Sequence, residues 1–163
     1  MNINKLIILL VFCSSFFLNA QSNQYKSERD KVNDLVHTKL DVKFDIPNSL
    51  LFGEAWLTLT PHFSPTSKVT LDAKGMVIHQ VTINGVKVPY NYFENKELII
   101  DLDKIYKKGE EYTTYIKYTS QPEKVVKMGV TNDKGLYFID PKGVDIEKPT
   151  QIWTEGEAEN NSV

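Results

Sequence analysis

The chain has 163 residues, enough for one ordinary domain and too few for two. Its 19 basic and 21 acidic residues give a formal net charge of −2. The two signs are interspersed, which argues against a surface built for nucleic acid or anionic membrane.

Met1 to Ala20 reads as a signal peptide rather than part of the fold. Lys5 is a one-charge n-region, Leu6 to Leu18 an apolar core, and Leu18-Asn19-Ala20 ends on a small residue suited to cleavage. That core is shorter than the roughly 20 residues a membrane-crossing helix needs. The expectation is export to the periplasm or medium, with no membrane span left after cleavage. Leu10-Val11-Phe12-Cys13 makes a poor lipid-attachment box, because bulky Phe12 stands where a small residue belongs. Cys13 is the only cysteine, so the remainder has no disulfide and must be held by a packed core.

Residues 21–35 are polar and charged and read as a flexible leader, with at most a helical turn around Lys31 to Val36. A β pattern follows, and residues 36–163 are expected to form the domain. Leu40, Val42, Phe44 and Ile46 alternate with Asp41, Lys43 and Asp45, the period of a strand with one buried face. Pro47-Asn48-Ser49 is a turn cluster. Ala55, Leu57 and Leu59 alternate with Trp56, Thr58 and Thr60. Trp56 on the second face suggests that this face is covered too, as in a sandwich.

Asn84-Gly85 is the strongest local signal. It favours the type I′ turn of a two-residue hairpin. The register then opposes Ile83 to Val86, Val81 to Val88, His79 to Tyr90 and Val77 to Tyr92, leaving one face apolar. On this reading His79 is a structural residue, and Tyr90 and Tyr92 pack across the hairpin. Glu94-Asn95-Lys96 is a further turn and Glu97 to Asp101 a strand. Tyr112, Thr114, Ile116 and Tyr118 alternate with Glu111, Thr113, Tyr115 and Lys117 to give another. Gly135 to Ile139 and Thr150 to Thr154 read as the last two. No long amphipathic helix or repeat is visible. The fold class is all-β: an antiparallel sandwich or strongly curved sheet.

Three stretches resemble the N-terminal domain of gluzincin zinc metallo-aminopeptidases, the aminopeptidase N family. Val36-His37-Thr38-Lys39-Leu40-Asp41-Val42 with Phe52-Gly53-Glu54-Ala55 resembles its opening pair of strands. Leu71-Asp72-Ala73-Lys74-Gly75-Met76-Val77-Ile78 with Val81-Thr82-Ile83-Asn84-Gly85 resembles the next pair. Gly135-Leu136-Tyr137-Phe138, followed by Gln151-Ile152-Trp153-Thr154-Glu155-Gly156-Glu157-Ala158-Glu159-Asn160-Asn161, resembles its approach to the active site.

The resemblance implies a saddle-like β domain, incomplete at its C-terminal end. It also implies a parent enzyme that removes N-terminal residues from peptides with a zinc held by two histidines and a glutamate. No H-E-x-x-H motif occurs here, and His37, His62 and His79 are isolated. The chain alone is therefore expected to lack the zinc site and to be inactive, meeting peptide substrate only through a catalytic domain that is missing.

The family position that holds the substrate's free amine matches Glu157. Gly156 would turn the backbone to aim it, and Glu159 is a weaker candidate. On composition alone, three glutamates beside two asparagines are a solvated turn. Trp153 reads as a core or wall residue, and the sequon Asn160-Asn161-Ser162 is discounted. The alternatives are a free-standing export module binding peptide or glycan, marked by an exposed aromatic patch, and an inert product of a truncated gene. A domain lacking its last strands is expected to be marginally stable or to associate.

Overall fold

The computed structural model describes residues 31–122 and 135–154. The segments expected to be a signal peptide and most of a leader, and the tail from Glu155, lie outside the described residues. Within them every regular element is a strand, and every ladder is antiparallel. In chain order these are β1 (Asn33–Asp45), β2 (Leu50–Pro61), β3 (Thr66–Asp72), β4 (Met76–Ile83), β5 (Val86–Lys87), β6 (Tyr90–Phe93), β7 (Glu97–Tyr106), β8 (Tyr112–Ser120), β9 (Leu136–Ile139) and β10 (Gln151–Thr154). They form a five-stranded sheet ordered β1-β2-β8-β4-β5, a three-stranded sheet β3-β7-β6, and the two-stranded ribbon β10-β9. The sheets are open, and the all-β antiparallel class read from the periodicity holds.

The core lies between the two larger sheets. Leu59, Val81, Ile83, Tyr112 and Ile116 face it from one side, and Val69, Leu98, Ile100 and Tyr106 from the other. Each such side chain removed from water contributes about 1.5–3 kcal/mol. In the first half of β8 the alternation is clean: Tyr112, Thr114 and Ile116 are buried and the residues between them are not, whereas at its end Thr119 and Ser120 are both buried. Thr114 tolerates burial because its hydroxyl donates to the Leu57 carbonyl at 3.3 Å.

Asn84 (φ 49°) and Gly85 (φ 86°) adopt the left-handed conformations that a type I′ turn requires. The hairpin they close is shorter than expected. Only Thr82–Lys87 and Ile83–Val86 pair, after which the chain leaves for the other sheet, where Tyr90 opposes Ile100 and Tyr92 opposes Leu98. The expected pairs of Val81 with Val88, His79 with Tyr90 and Val77 with Tyr92 therefore do not form. Pro89 sits at the crossing and cannot donate to a ladder; its carbonyl accepts from Asp101 N–H at 3.1 Å. His79 falls at a register shift between Ile78 and Gln80, and its Nε2 lies 2.8 Å from the Thr119 hydroxyl.

Three other expectations are corrected. β1 begins at Asn33, inside the segment read as leader and helical turn, because polar side chains there have partners. The Tyr112 hydroxyl donates to Asn33 Oδ1 at 2.7 Å, and Asp34 meets His62 Nδ1 at 2.8 Å and Lys31 at 3.0 Å. The apolar face of β1 is not buried: Leu40 is 58% exposed and Phe44 42%. Among the described residues β1 is a sheet edge, and only its Phe44 end meets a covering ring, that of Phe138, at 6.3 Å. Third, the residues from Leu71 to Ile78 are not one strand. β3 ends at Asp72, and β4 starts at Met76 in the other sheet.

The second face of the large sheet is covered by its own side chains. Lys39 lies 4.5 Å above the Trp56 ring, which meets Tyr115 at 5.0 Å between centroids. Beside them Glu54 accepts from Tyr115 at 2.9 Å and pairs with Lys117 at 3.0 Å. The half-burial of Trp56 therefore comes from neighbours on the same sheet.

The hydroxyl of Tyr92 on β6 accepts the Met76 N–H at 3.1 Å and lies 2.5 Å from the Ala73 carbonyl and 2.7 Å from Asn95 Oδ1. It thus ties the small sheet to the link between β3 and β4.

Gly53, directly opposite Tyr118, has that ring lying against its Cα face, and an added Cβ would overlap Tyr118 Cζ. We expect Gly53→Ala to lower the stability of the chain by about 1–3 kcal/mol in urea titrations. Stability should also fall on the acid side. The His62 hydrogen bond, then Lys31, holds the Asp34 carboxyl below its usual range; Lys117 and Tyr115 do so for Glu54, and Lys104 and the Lys107 N–H for Glu110. Such groups stabilise the fold fully above the ordinary carboxylate pKa of about 4 and lose that contribution as pH falls through their depressed folded values. Thermal melts across that window should show the decline, and Glu54→Gln should flatten part of it.

Candidate functional site

The candidate residues read from the sequence fall in the tail, which follows directly on the ribbon of β9 and β10. β9 and β10 pair in simple register: Ile139 with Gln151, Phe138 with Ile152, Tyr137 with Trp153, and Leu136 with Thr154. One face of this ribbon packs inward, with Phe138 only 7% exposed. The other carries Trp153, which is 61% exposed, with its indole N–H donating to Gln151 Oε1 at 2.5 Å. Trp153 is therefore not a core residue. It forms part of an open surface immediately before the acidic tail.

The ribbon's turn is built around Asp140. This residue has φ of 42°, a conformation that short polar side chains tolerate. Its carboxylate accepts the backbone N–H of Val144 at 3.0 Å and of Asp145 at 3.1 Å. Its carbonyl accepts Gly143 N–H at 3.0 Å and the Thr150 hydroxyl at 2.9 Å. Asp145 repeats the device, accepting Glu147 N–H at 3.0 Å and pairing with Lys148 at 3.3 Å. The turn satisfies its own polar groups and turns apolar ones outward: Val144 is 78% exposed and Ile146 fully so. Hydrophobic periodicity marks residues 140–149 only as the link between the last two strands. The signal it passed over is Asp140 followed by Gly143 and Asp145, side chains and a glycine suited to capping their own backbone.

Thr154 is the last described residue before the candidates. Gly156, Glu157 and Glu159 all lie outside the described residues, as does the sequon. The remaining polar candidates do not converge. His37 is in β1, His62 pairs with Asp34 at the opposite end of that strand from Phe44, and His79 bonds Thr119. Among the described residues no three His, Cys, Asp or Glu side chains cluster as metal ligands. His62 and Asp34 supply only two donors, and Lys31 shares the Asp34 carboxylate. The described residues therefore do not fit a zinc centre. The exposed aromatics, Phe44, Phe52, Phe63, Tyr90, Phe93 and Trp153, make no single platform. Phe44 and Phe52 alone stand on opposite faces of the large sheet.

No family model and no curated protein matches the chain. Solved structures do. The M1 zinc metallopeptidase of Deinococcus radiodurans matches with a TM-score of 0.53 and 23% identity over 66% of this chain. A two-domain M1 zinc metallopeptidase mutant bound to L-arginine matches at 0.54 and 21% over 65%, and one bound to L-tryptophan at 0.54 and 23% over 65%. The fold is that of a region of M1 zinc metallopeptidases. The likeness is one of fold, and the chain covers only 26% of the length of each of these metallopeptidase structures. Among the described residues no helix is long and apolar enough to cross a membrane.

The Asp140 carboxylate is what gives the turn before β10 its shape. Asp140→Ala should speed hydrogen exchange at the Val144 and Asp145 amides by about tenfold, as expected for losing charge-assisted bonds worth about 1–2 kcal/mol. Exchange in β8 should stay unchanged.

Proposed function

We propose that this chain is the substrate-contacting β domain of an exported zinc aminopeptidase. The observation that carries the reading is the shared fold with M1 zinc metallopeptidase structures, combined with the tail that follows β10. In this reading the zinc and its ligands come from sequence outside this chain. The chain by itself neither binds the metal nor hydrolyses peptides.

The chemical task assigned to the tail is a charge test. A peptide's α-ammonium has a pKa near 8, so it is mostly cationic at neutral pH. A carboxylate about 4 Å away attracts it by about 4 kcal/mol at an effective dielectric of 20, before desolvation is subtracted. An internal peptide bond offers no such charge and would leave the carboxylate unpaired. Glu157 supplies this contact, with Gly156 giving the backbone the freedom to aim it. The exposed Trp153 ring on the ribbon and the exposed Val144 and Ile146 in its turn present apolar surface for a neighbouring domain to cover. The dispersal of exposed aromatics over separate faces gives no comparable support to a glycan- or peptide-binding module.

The test uses aminoacyl amide substrates. The isolated chain should show no turnover with added zinc, and zinc-dependent turnover would overturn the proposal. In the complete enzyme Glu157→Gln should raise KM and lower kcat, because the amine contact also orients the scissile bond. The wild-type KM should climb above about pH 8 as the substrate amine loses its charge. That limb should flatten in Glu157→Gln; an unchanged profile would remove the residue from this role.

A further inference from the structure

The outer edge of β1 is the largest feature the proposed function leaves unused. From Leu35 to Phe44 every residue of this strand is exposed. Among the described residues only β2 pairs with it, so the backbone groups along its other side have no strand partner. A bulge at Val36, between Leu35 and His37, interrupts the ladder, but from His37 to Asp45 the strand is regular. Long, regular and partly apolar edges template the addition of another strand.

The side chains specify which strand. Leu40, Val42 and Phe44 share the core-side face with Ala55, Gly53 and Leu51, and are 58%, 37% and 42% exposed. Lys39, Asp41, Lys43 and Asp45 alternate in sign on the outer face. An antiparallel copy of the same strand centred on Val42 sets Lys39 against Asp45 and Asp41 against Lys43, each twice by symmetry. On the other face it sets Leu40 against Phe44 and Val42 against itself. Centring one residue earlier, on Asp41, would oppose Asp41 to itself and Lys39 to Lys43, which like-charge repulsion disfavours.

We infer that β1 pairs with β1 of a second copy of this chain about a two-fold axis at Val42, joining two five-stranded sheets into one. The interface is isologous, so it closes as a dimer and does not propagate. Both faces of the new ladder are complementary: opposite charges on the outside, aliphatic and aromatic groups on the inside. Lys39 lies over Trp56 on the β2 side, so meeting the copy's Asp45 requires its ammonium to swing to the other side of β1.

A charge-swap series read by sedimentation equilibrium tests this. The wild-type chain should reach a monomer–dimer equilibrium. Asp41→Lys and Lys43→Asp, singly, each oppose like charges twice across the axis and should weaken dimerisation by about tenfold or more. The double variant restores opposite charges in swapped places and should recover it. Asp41 faces Glu54 within the chain, so Asp41→Lys removes a like-charge neighbour and should leave the monomer folded, with unchanged circular dichroism. In a Cys13→Ser background, Val42→Cys should give a disulfide-linked dimer under mild oxidation, since directly opposed residues sit about 4.5–5.5 Å apart between Cα atoms. A monomeric wild type, association insensitive to the single reversals, or single-variant defects that the double variant does not rescue would overturn the pairing.

Discussion

The fold converges on the contact between Tyr112 of β8 and Tyr106 of β7. Their rings meet at 4.7 Å between centroids, one from each large sheet, and both are almost wholly buried. Each hydroxyl then fastens another part of the chain. Tyr112 donates to Asn33 and so fixes where β1 begins. Tyr106 donates to Asp103 and accepts from Asn84, whose own Oδ1 accepts the Thr113 N–H at 3.0 Å. Burial raises both phenols above their ordinary pKa and keeps them protonated donors. A single aromatic pair thus sets the spacing of the sheets, the start of the edge strand and the attitude of the Asn84-Gly85 hairpin.

The strands that lie wholly within one sheet were legible in the sequence. β8 reads plainly because its alternation is the pattern of a strand between two neighbours with one face on the core. β2, β9 and β10 read nearly as well. What could not be read was where the chain changes sheets. Pro89, which cannot donate to a ladder, is a local hint of a break, but which strand the chain then joins depends on Ile99 and Ile100, across the next hairpin, which pair with β6. The same holds for Ala73 to Gly75. The apolar alternation of β1 was visible, but whether such a face is covered depends on which strands lie opposite, and pattern alone carries no such information.

The candidate site divides along the same line. Its chemistry rested on Glu157, a position recognised by resemblance and lying beyond the described residues. The two strands of its setting were visible as short apolar runs, but Trp153, read as a core or wall residue, stands outside the ribbon while Phe138 lies inside. The self-braced turn at Asp140 was missed because capping by Asp depends on distances of three to five residues, which hydrophobic periodicity does not sample.

The turn between β6 and β7 has a consequence for the order of events during folding. Glu94 and Asn95 both hold positive φ, 48° and 56°, without a glycine to make that easy. The turn closes with its own bond, Lys96 N–H to the Phe93 carbonyl at 2.9 Å, and with Tyr92 reaching Asn95 Oδ1; two further bonds come from outside it, Ala73 N–H to the Lys96 carbonyl at 2.6 Å and Gly75 N–H to the Asn95 carbonyl at 3.2 Å. Asn84-Gly85, by contrast, can bend on its own. The second hairpin therefore gains its two outside braces only when the link from β3 to β4 is in place, whereas the first has no such dependence.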